Sequence, residues 1–582
     1  MPKPAPTATD DAPPTAPSEA RLTALVAAIT GAFFVATALP SIHWHDTAEF
    51  AAVGWRLAVS HPPGHPIHAL LTRATEHFIP LGDLALRANM LSALLAAAAL
   101  AAFYRLLRAL APALPRAAAL CAACAPAFLP GLWLQAVRAE VYALQLLLTV
   151  CIAHACHRVA RGDDARALPA LALLFGLAGA NHSFIGLCSI PLALWAIAAG
   201  RPPPRAFAAA VAAGLLGLAA YLYLPLRATA GGVVGWGRPD SLAALWATIS
   251  GRDWQGNIAP ADGEAAADHV ATMAAWIITQ LGPLGAAIVL LALLAGLPAL
   301  VRARRLTALA AAVAAAVPLA AQRLLQVDLH NPDMAGYLAA VPLALIALAA
   351  IAVDALPGRA RALLALAFPA LLLAGLGRHD PSHRAGSRSA ERVALARLDA
   401  VPPDGVLVAS DYATTFQTWA LQALWGERPD VAPVFRGRVA ADWQRRRLRA
   451  EHPAVAAALA DFPATLTGPA VRYELGVEMH RLGPLAPRLR PVGLLLAVDA
   501  PWPAALDPAY DLIDAAPDLD ARRAGALLHA QHAEHITRAG GPQALAAAHL
   551  DRAEALAPGD PWLAELRATL APANLLDRAG PR

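Results

Sequence analysis

The stretch SIHWHDTAEFAAVGWRLAVSHPPGHP, from Ser41 to Pro66, follows directly on an apolar block at 22–42. Asp46 and Glu49 stand just past the end of that block. On a helix their i, i+3 spacing puts both carboxylates on one face. Ionisable groups at a membrane boundary are costly unless solvated or used, which makes the pair a functional candidate. The competing reading is two interfacial acids facing water. The segment AEFAAVGWRLAVS is expected to lie along the interface as an amphipathic helix, with Phe50 and Trp55 as aromatic anchors. HPPGHP then stops it: Pro62 and Pro63 cannot continue a helix, Gly64 tolerates positive φ, and Pro66 starts the next segment. His61, His65 and His68 make the turn rich in histidine, but no metal-ligand pattern accompanies them, and no metal is assigned.

Outward from this stretch, apolar blocks of about twenty residues recur, the length a bilayer-crossing helix needs. Of the 582 residues, 58% are hydrophobic and 15% charged, with a mean hydropathy of +0.48. A soluble globular chain carries about 25% charged residues. The composition excludes a disordered chain, a basic nucleic-acid-binding protein and an ordinary cytosolic enzyme. Eleven spans are expected, near 22–42, 87–104, 117–134, 141–156, 168–183, 185–199, 206–225, 273–300, 306–321, 337–354 and 361–377. Lys3 is the only lysine, so arginine carries nearly all the positive charge. This reads as coding bias in a GC-rich bacterial genome, and it weakens any single arginine as a sign of guanidinium chemistry. Cys121, Cys124, Cys151, Cys156 and Cys188 all lie in apolar blocks and read as small packing residues.

Loop charge sets the expected orientation. Arg105, Arg108 and Arg116, then Arg158, Arg161 and Arg166, then Arg201 and Arg205, then Arg302, Arg304 and Arg305, then Arg359 and Arg361 occupy alternate, short loops. The positive-inside rule assigns that set to the cytoplasm. Residues 1–20, rich in Pro, Ala and Thr, read as a disordered cytoplasmic tail, with the first span retained as an anchor. The membrane domain is expected over 21–378. Two long loops, 43–86 and 226–272, and everything after it then face the periplasm of a bacterial inner membrane.

After residue 380 the composition becomes that of a soluble region. VLVASD (Val406 to Asp411), a helical stretch to Trp425 and the run after GERPDVAPV suggest a strand–helix–strand unit within a mixed α/β region over 379–520. No GxGxxG follows the strand, so no nucleotide site is assigned. Arg445, Arg446, Arg447 and Arg449 read as a solvated helix face, with contact to acidic lipid headgroups as the alternative. ALAAAHLDRAEALAPGDPWLAEL, within 521–582, reads as a TPR-like helical repeat that needs a neighbour.

Several elements together resemble a known family. HDTAEF, AVSHPPGHP and LGDLALRANMLSAL are followed by LWLQAVRAEVYAL (Leu132 to Leu144), GLAGANHSF (Gly176 to Phe184), YLPLRA (Tyr223 to Ala228), WGRP (Trp236 to Pro239) and NPDMAGYL (Asn331 to Leu338). This ordered set, over roughly 25–345, is similar to a polytopic bacterial family of unknown function. Its eukaryotic relatives are the transmembrane protein O-mannosyltransferases acting on plexin-type receptors. Arg238 departs from the family, where an acid is common. The resemblance implies a membrane glycosyltransferase of GT-C architecture that takes a sugar from a polyprenyl-phosphate carrier. It further implies a catalytic acid in the first outer loop, the position of Asp46, and suggests mannose or another hexose as the sugar and a protein as the acceptor.

The expected chemistry is a single inverting displacement in which a carboxylate at the span–loop junction takes the acceptor hydroxyl's proton. Asp46 is the expected base, and Glu49 orients the acceptor or exchanges roles with it. Arg227 is the candidate for the donor phosphate, with interfacial snorkelling as the alternative. Glu140, Tyr142, Asn181, His182, Asp333 and Tyr337, at outer span ends, are expected to line the cavity with His61, His65 and Trp236. Inter-helix hydrogen bonding is the other reading for Asn181. No cofactor beyond the lipid-linked donor is required, and dependence on a divalent metal stays open. The expected partners are that donor, a protein or glycan acceptor and the membrane, with no nucleic acid. A transporter or flippase for a lipid-linked saccharide is the alternative. It would place its polar groups near midplane on broken helices with internal repeats, and the polar groups here gather at span ends. A non-catalytic scaffold is the third reading.

Overall fold

The apolar blocks fold as helices in the computed structural model. It describes residues 18–162, 164–230, 232–253, 266–302, 306–324, 331–381, 384, 387–476 and 479–570. Residues 1–17 of the expected tail, 231 and 254–265 of the 226–272 loop and 571–582 of the last region lie outside these. Among the described residues, eight helices are long and apolar enough to cross a membrane: Glu19–Ala36, Leu84–Leu110, Tyr142–Arg161, Ala167–Leu187, Pro204–Arg227, Asp268–Arg302, Asp333–Asp354 and Gly358–Arg378. A further apolar pair, Arg116–Phe128 and Pro130–Val137, bends by 72° at Leu129, as a broken span or a re-entrant loop does. Pro130 explains the break, because it offers no N–H to the preceding turn.

The other two of the eleven expected spans are shorter apolar helices, Ile190–Gly200 and Thr307–Ala321. At 1.5 Å per residue, an eleven-residue helix reaches about 16 Å, short of a bilayer's roughly 30 Å. The sequence blocks merged the helical turn after His182 with this helix, where the chain makes a corner at Cys188–Ser189. Gly200 nevertheless packs at the far end of the neighbouring helix: a side chain there would fall 1.8 Å from the Val159 carbonyl oxygen. The arginine-bearing loops meet on that side. Glu19 pairs with Arg116 at 2.9 Å and Arg108 at 3.4 Å, and Asp354 accepts from the Ala113 N–H at 2.7 Å.

At the opposite end, Asn89 ties the first loop to the 138–141 turn. Its Nδ2 donates to the carbonyls of Leu39 (2.7 Å) and Ser41 (2.9 Å), and its Oδ1 accepts from the Ala139 N–H (2.7 Å). The helix Thr47–Arg56 does not lie at the interface as expected. Thr47 through Gly54 are all buried, with Phe50 2% exposed. One side meets helix Pro66–Phe78 and another meets Tyr412–Ala420 from the C-terminal region. Gly54 permits the first approach, because a Cβ would stand 2.4 Å from Thr72 Cγ2. Only Trp55 keeps a surface role, under the Arg73 guanidinium at 4.1 Å.

The C-terminal region holds a mixed five-stranded sheet: β1 Val406–Ala409, β2 Ala432–Phe435, β3 Val471–Tyr473, β4 Leu489–Val492 and β5 Leu495–Val498. The order is β2-β1-β3-β5-β4, with β1 parallel to β2 and β3 and the last pairs antiparallel. The four residues of β1 are all buried, as apolar runs in a covered parallel sheet require. Of the arginine cluster, Arg447 does not face solvent. Its Nη1 donates to the carbonyls of Ala230 (2.8 Å), Gly232 (3.1 Å) and Val234 (3.0 Å), and so clamps the second long loop. The repeat-like stretch forms helices Gln543–Leu556 and Pro561–Leu570, and helix Leu519–Arg538, which precedes them, packs on both.

Candidate active site

Asp46 caps the start of helix Thr47–Arg56, yet its carboxylate makes no capping bond. It turns instead into a cavity of about 430 Å³. Three elements meet there: the first loop, one end of the spans, and the C-terminal region. His61, from the HPPGHP turn, connects the two acids. Its Nδ1 is hydrogen-bonded to Glu49 Oε2, its backbone N–H donates to Glu49 Oε1 at 2.7 Å, and its Nε2 stands 3.7 Å from Asp46 Oδ2. Burial pushes the Asp46 carboxyl up to about 7, against the pull of His61. Burial also opposes charge on His61, but Glu49 and Asp46 outweigh it and lift the ring to about 10. The arrangement is an imidazolium between two carboxylates: one, Glu49, is fully buried and fully engaged, and the other faces the cavity.

His65 sits in the left-handed region (φ 40°) at the N-cap of helix Pro66–Phe78. Burial holds its ring well below the usual histidine range. Nδ1 pairs with the Asn181 carbonyl, while Nε2 is buried without a partner. A neutral ring with its proton on Nδ1 presents Nε2 as an acceptor. The helix Ala167–Leu187 leaves helical geometry at His182 (φ −151°, ψ 95°). That break brings the ring edge-on to Tyr337, with centroids 4.9 Å apart, and beside Tyr142 at 5.8 Å. On the wall formed by NPDMAGYL, Asp333 accepts from Arg138 Nη2 at 2.6 Å. Arg138 is wholly buried and also lies 3.4 Å from Glu140 Oε1.

Of the expected residues, Asp46, His61, His65, Tyr142, His182, Asp333 and Tyr337 line the cavity. Glu140, Glu49 and Asn181 lie behind it. Asn181 Nδ2 donates to Val141 O and Gln145 Oε1, both at 3.1 Å, which is the inter-helix bonding weighed for it. Two residues stand apart. Arg227 Nε donates to the Leu57 carbonyl at 2.7 Å and Nη2 to that of Arg56 at 3.3 Å, so its guanidinium closes the end of helix Thr47–Arg56. Trp236 is buried among Phe416, Phe435 and Trp443, and its Nε1 donates to Asp253 at 3.0 Å.

Sequence reasoning missed Arg138, Tyr412 and Phe416. An arginine beside an acid within a predominantly apolar run was the available signal for Arg138. Tyr412 and Phe416 line the cavity from a helix some 360 residues downstream of Asp46, and nothing local marks them. Among the described residues, one group of ligand-type side chains is close enough to share an ion: His43, Asp518 and Asp520. It lies outside the cavity. Arg384 already pairs with Asp520 at 2.6 Å, and Ser387 donates to Asp518 at 2.6 Å.

Fold and site together describe a polytopic membrane protein with a polar cavity at one end of its spans. Residues 46–203 match the family model of the Protein O-mannosyl-transferase TMEM260 N-terminal domain. The crystal structure of ArnT from Cupriavidus metallidurans bound to undecaprenyl phosphate is similar with a TM-score of 0.51 at 13% identity, over 83% of this chain and 98% of that one. The Archaeoglobus fulgidus oligosaccharyltransferase in its apo form gives a TM-score of 0.45 at 12% identity, over 78% and 69%. The S. cerevisiae Pmt1-Pmt2 complex bound to its sugar donor gives 0.29 at 17% identity, over 36% and 33%. The fold is thus ArnT-like, by the first of these.

Proposed function

We propose that the protein transfers a sugar, mannose or another hexose, from a polyprenyl-phosphate carrier to a hydroxyl of a protein acceptor, on the periplasmic face of a bacterial inner membrane. The observation that carries this reading is the buried Asp46–His61–Glu49 arrangement at the polar cavity. Asp46 acts as the general base. Glu49 fixes His61, and the imidazolium keeps a fraction of Asp46 ionised near neutral pH despite its burial. As the acceptor oxygen bonds to the anomeric carbon, its proton passes to Asp46 Oδ2 and the phosphate leaves with the bonding electron pair. His65 Nε2 accepts a hydrogen bond from a sugar or acceptor hydroxyl.

The donor's place is supported by an apolar groove between helices Leu84–Leu110, Tyr142–Arg161, Ile190–Gly200, Thr307–Ala321 and Ala340–Asp354. Tyr337 lines both this groove and the cavity. An isoprenoid chain fits a groove of that composition, which sets its phosphate beside Tyr142, His182 and Tyr337. The ArnT crystal structure contains undecaprenyl phosphate, which favours this class of carrier. Arg227, bonded to carbonyls outside the cavity, is not assigned to the phosphate.

The test is purified protein in lipid nanodiscs with a synthetic polyprenyl-phosphate hexose and hydroxyl-bearing peptides. Sugar transfer should be detected by mass, and Asp46→Asn should lower kcat by about 10²–10⁴-fold. Wild-type turnover by a folded Asp46→Asn protein would remove Asp46 as the base. Movement of intact donor across a bilayer with no sugar release would favour the transporter instead.

A further inference from the structure

A second cavity, of about 510 Å³, opens beside the first on the side of the C-terminal region. Its floor is the carboxyl end of the parallel part of the sheet. Ser410 and Asp411 follow β1, Arg436 follows β2, and Glu474 to Gly476 follow β3. From β1 the chain crosses to β2 on one side and then to β3 on the other, so β1 is the topological switch point of the parallel strands. The crevice outside that point is where open α/β sheets bind ligands. Gly476 keeps it tight, since a Cβ there would stand 2.2 Å from Ser410 Oγ. The roof comes from helix Leu519–Arg538, and the mouth from Trp44, His45 and Pro332. His45 and Pro332 precede Asp46 and Asp333 in the chain, and Tyr412 lines both cavities. The two spaces are therefore neighbours across one side chain.

The polar groups of this cavity are not all satisfied. Gln417 is 1% exposed, and neither its Nε2 nor its Oε1 has a partner. Arg397, also buried, uses Nη1 on Thr414 Oγ1 at 2.8 Å and leaves Nε unpaired. A buried amide with both functions open is costly, because each has lost its bonds to water without a replacement, so its retention points to a ligand that completes it. The complement of a planar donor–acceptor pair is another amide. The remaining wall mixes apolar surface from Trp44, Leu527 and Leu528 with both signs of charge, Arg523 against Asp411. A polypeptide presents that mixture of amides, apolar groups and charges, whereas a neutral carbohydrate presents hydroxyls.

We infer that this cavity is the binding site for a polypeptide acceptor segment, with Gln417 pairing with one of its peptide bonds and feeding a neighbouring Ser or Thr past Tyr412 to Asp46. The inference rests on the transfer reaction proposed above and adds the acceptor's seat. The full-length protein in nanodiscs, carrying p-benzoylphenylalanine in place of Leu527, is irradiated with a pool of synthetic Ser- and Thr-bearing peptides or with a pool of neutral oligosaccharides. Peptide cross-links that Gln417→Leu abolishes are expected. Oligosaccharide cross-links, peptide cross-links indifferent to Gln417, or none from either pool would overturn the site. In the transfer assay, loss of two neutral hydrogen bonds should raise the peptide KM about five- to a hundredfold with a much smaller change in kcat. An unchanged KM would also overturn it. Should Gln417→Leu fail to fold, Leu527→Trp, at a half-exposed position, fills the same cavity and must raise KM in the same way. Cross-linking without any sugar transfer would leave this site standing and remove the transfer reading. Transfer with a peptide KM blind to both variants would do the reverse.

Discussion

Replacing His61 with Gln removes the cation nearest to Asp46 while leaving an amide able to hydrogen-bond Glu49. Two unit charges 3.7 Å apart at an effective dielectric of about 20 interact by ~4.5 kcal/mol, or about three pK units. Water in the cavity screens part of this, leaving a rise of roughly 1.5–3 units. Asp46 stands at about 7 in the native site. The loss of a cation raises a carboxyl, so its ionisation moves to roughly 8.5–10. A base works only when deprotonated, so the acid limb of the kcat/KM profile must move to higher pH by the same amount. At pH 7 the ionised fraction falls about 15- to 500-fold, and activity returns as pH rises through the new limb. The measurement is sugar release from a polyprenyl-phosphate donor in nanodiscs, from about pH 5 to about pH 10, with thermal unfolding followed in parallel. A limb that stays at its native position would refute the electrostatic coupling. Loss of activity at every pH in a folded protein would make His61 itself the proton acceptor.

Arg138→Leu strands the buried Asp333 and Glu140 carboxylates, and breaking such a pair costs roughly 3–5 kcal/mol. The thermal unfolding midpoint should drop and activity should fall with it, and an unchanged midpoint would show the pair to be solvated. Arg227→Gln should lower stability by about 1 kcal/mol through the lost bonds to the carbonyls of Arg56 and Leu57. Donor KM should stay near its wild-type value, and a large rise in donor KM would return Arg227 to the phosphate.

Legibility followed the range of the forces involved. Each crossing was visible because twenty apolar residues in a row are a local property, and all eleven expected blocks hold helix. Where two blocks came out short, at Ile190–Gly200 and Thr307–Ala321, hydropathy had smoothed over corners and loops that backbone geometry resolves. Asp46, His61 and His65 were legible because they sit within one turn-rich loop. Arg227 misled because a lone arginine at a span end looks the same whether it meets a phosphate or a carbonyl. Helix Thr47–Arg56 misled similarly. Its apolar face fits a bilayer surface or a protein partner equally well, and the partner, Tyr412–Ala420, comes from far along the chain. Tyr412, Phe416 and the clamp by Arg447 are long-range contacts with no periodic signature.

The same contacts bear on what the C-terminal region is for. Ala48, Ala52 and Val53, on the helix that Asp46 caps, share one apolar core with Phe416, Trp419 and Ala420. The helix that carries Glu49 and presents Asp46 is therefore held from the membrane side by Pro66–Phe78 and from the soluble side by Tyr412–Ala420. A domain that merely hung from the last span would not contribute Tyr412 and Phe416 to the cavity wall, nor place Arg447 on the carbonyls of the second long loop. The C-terminal region is thus part of the cavity wall, and the proposed acceptor seat, at the carboxyl ends of its parallel strands, adjoins that wall. The second cavity meets the first at Tyr412, a side chain that lines both. Under the proposed inverting displacement, the attacking hydroxyl must reach Asp46 on the face of the sugar opposite the phosphate, and a segment seated in the second cavity would bring it past Tyr412.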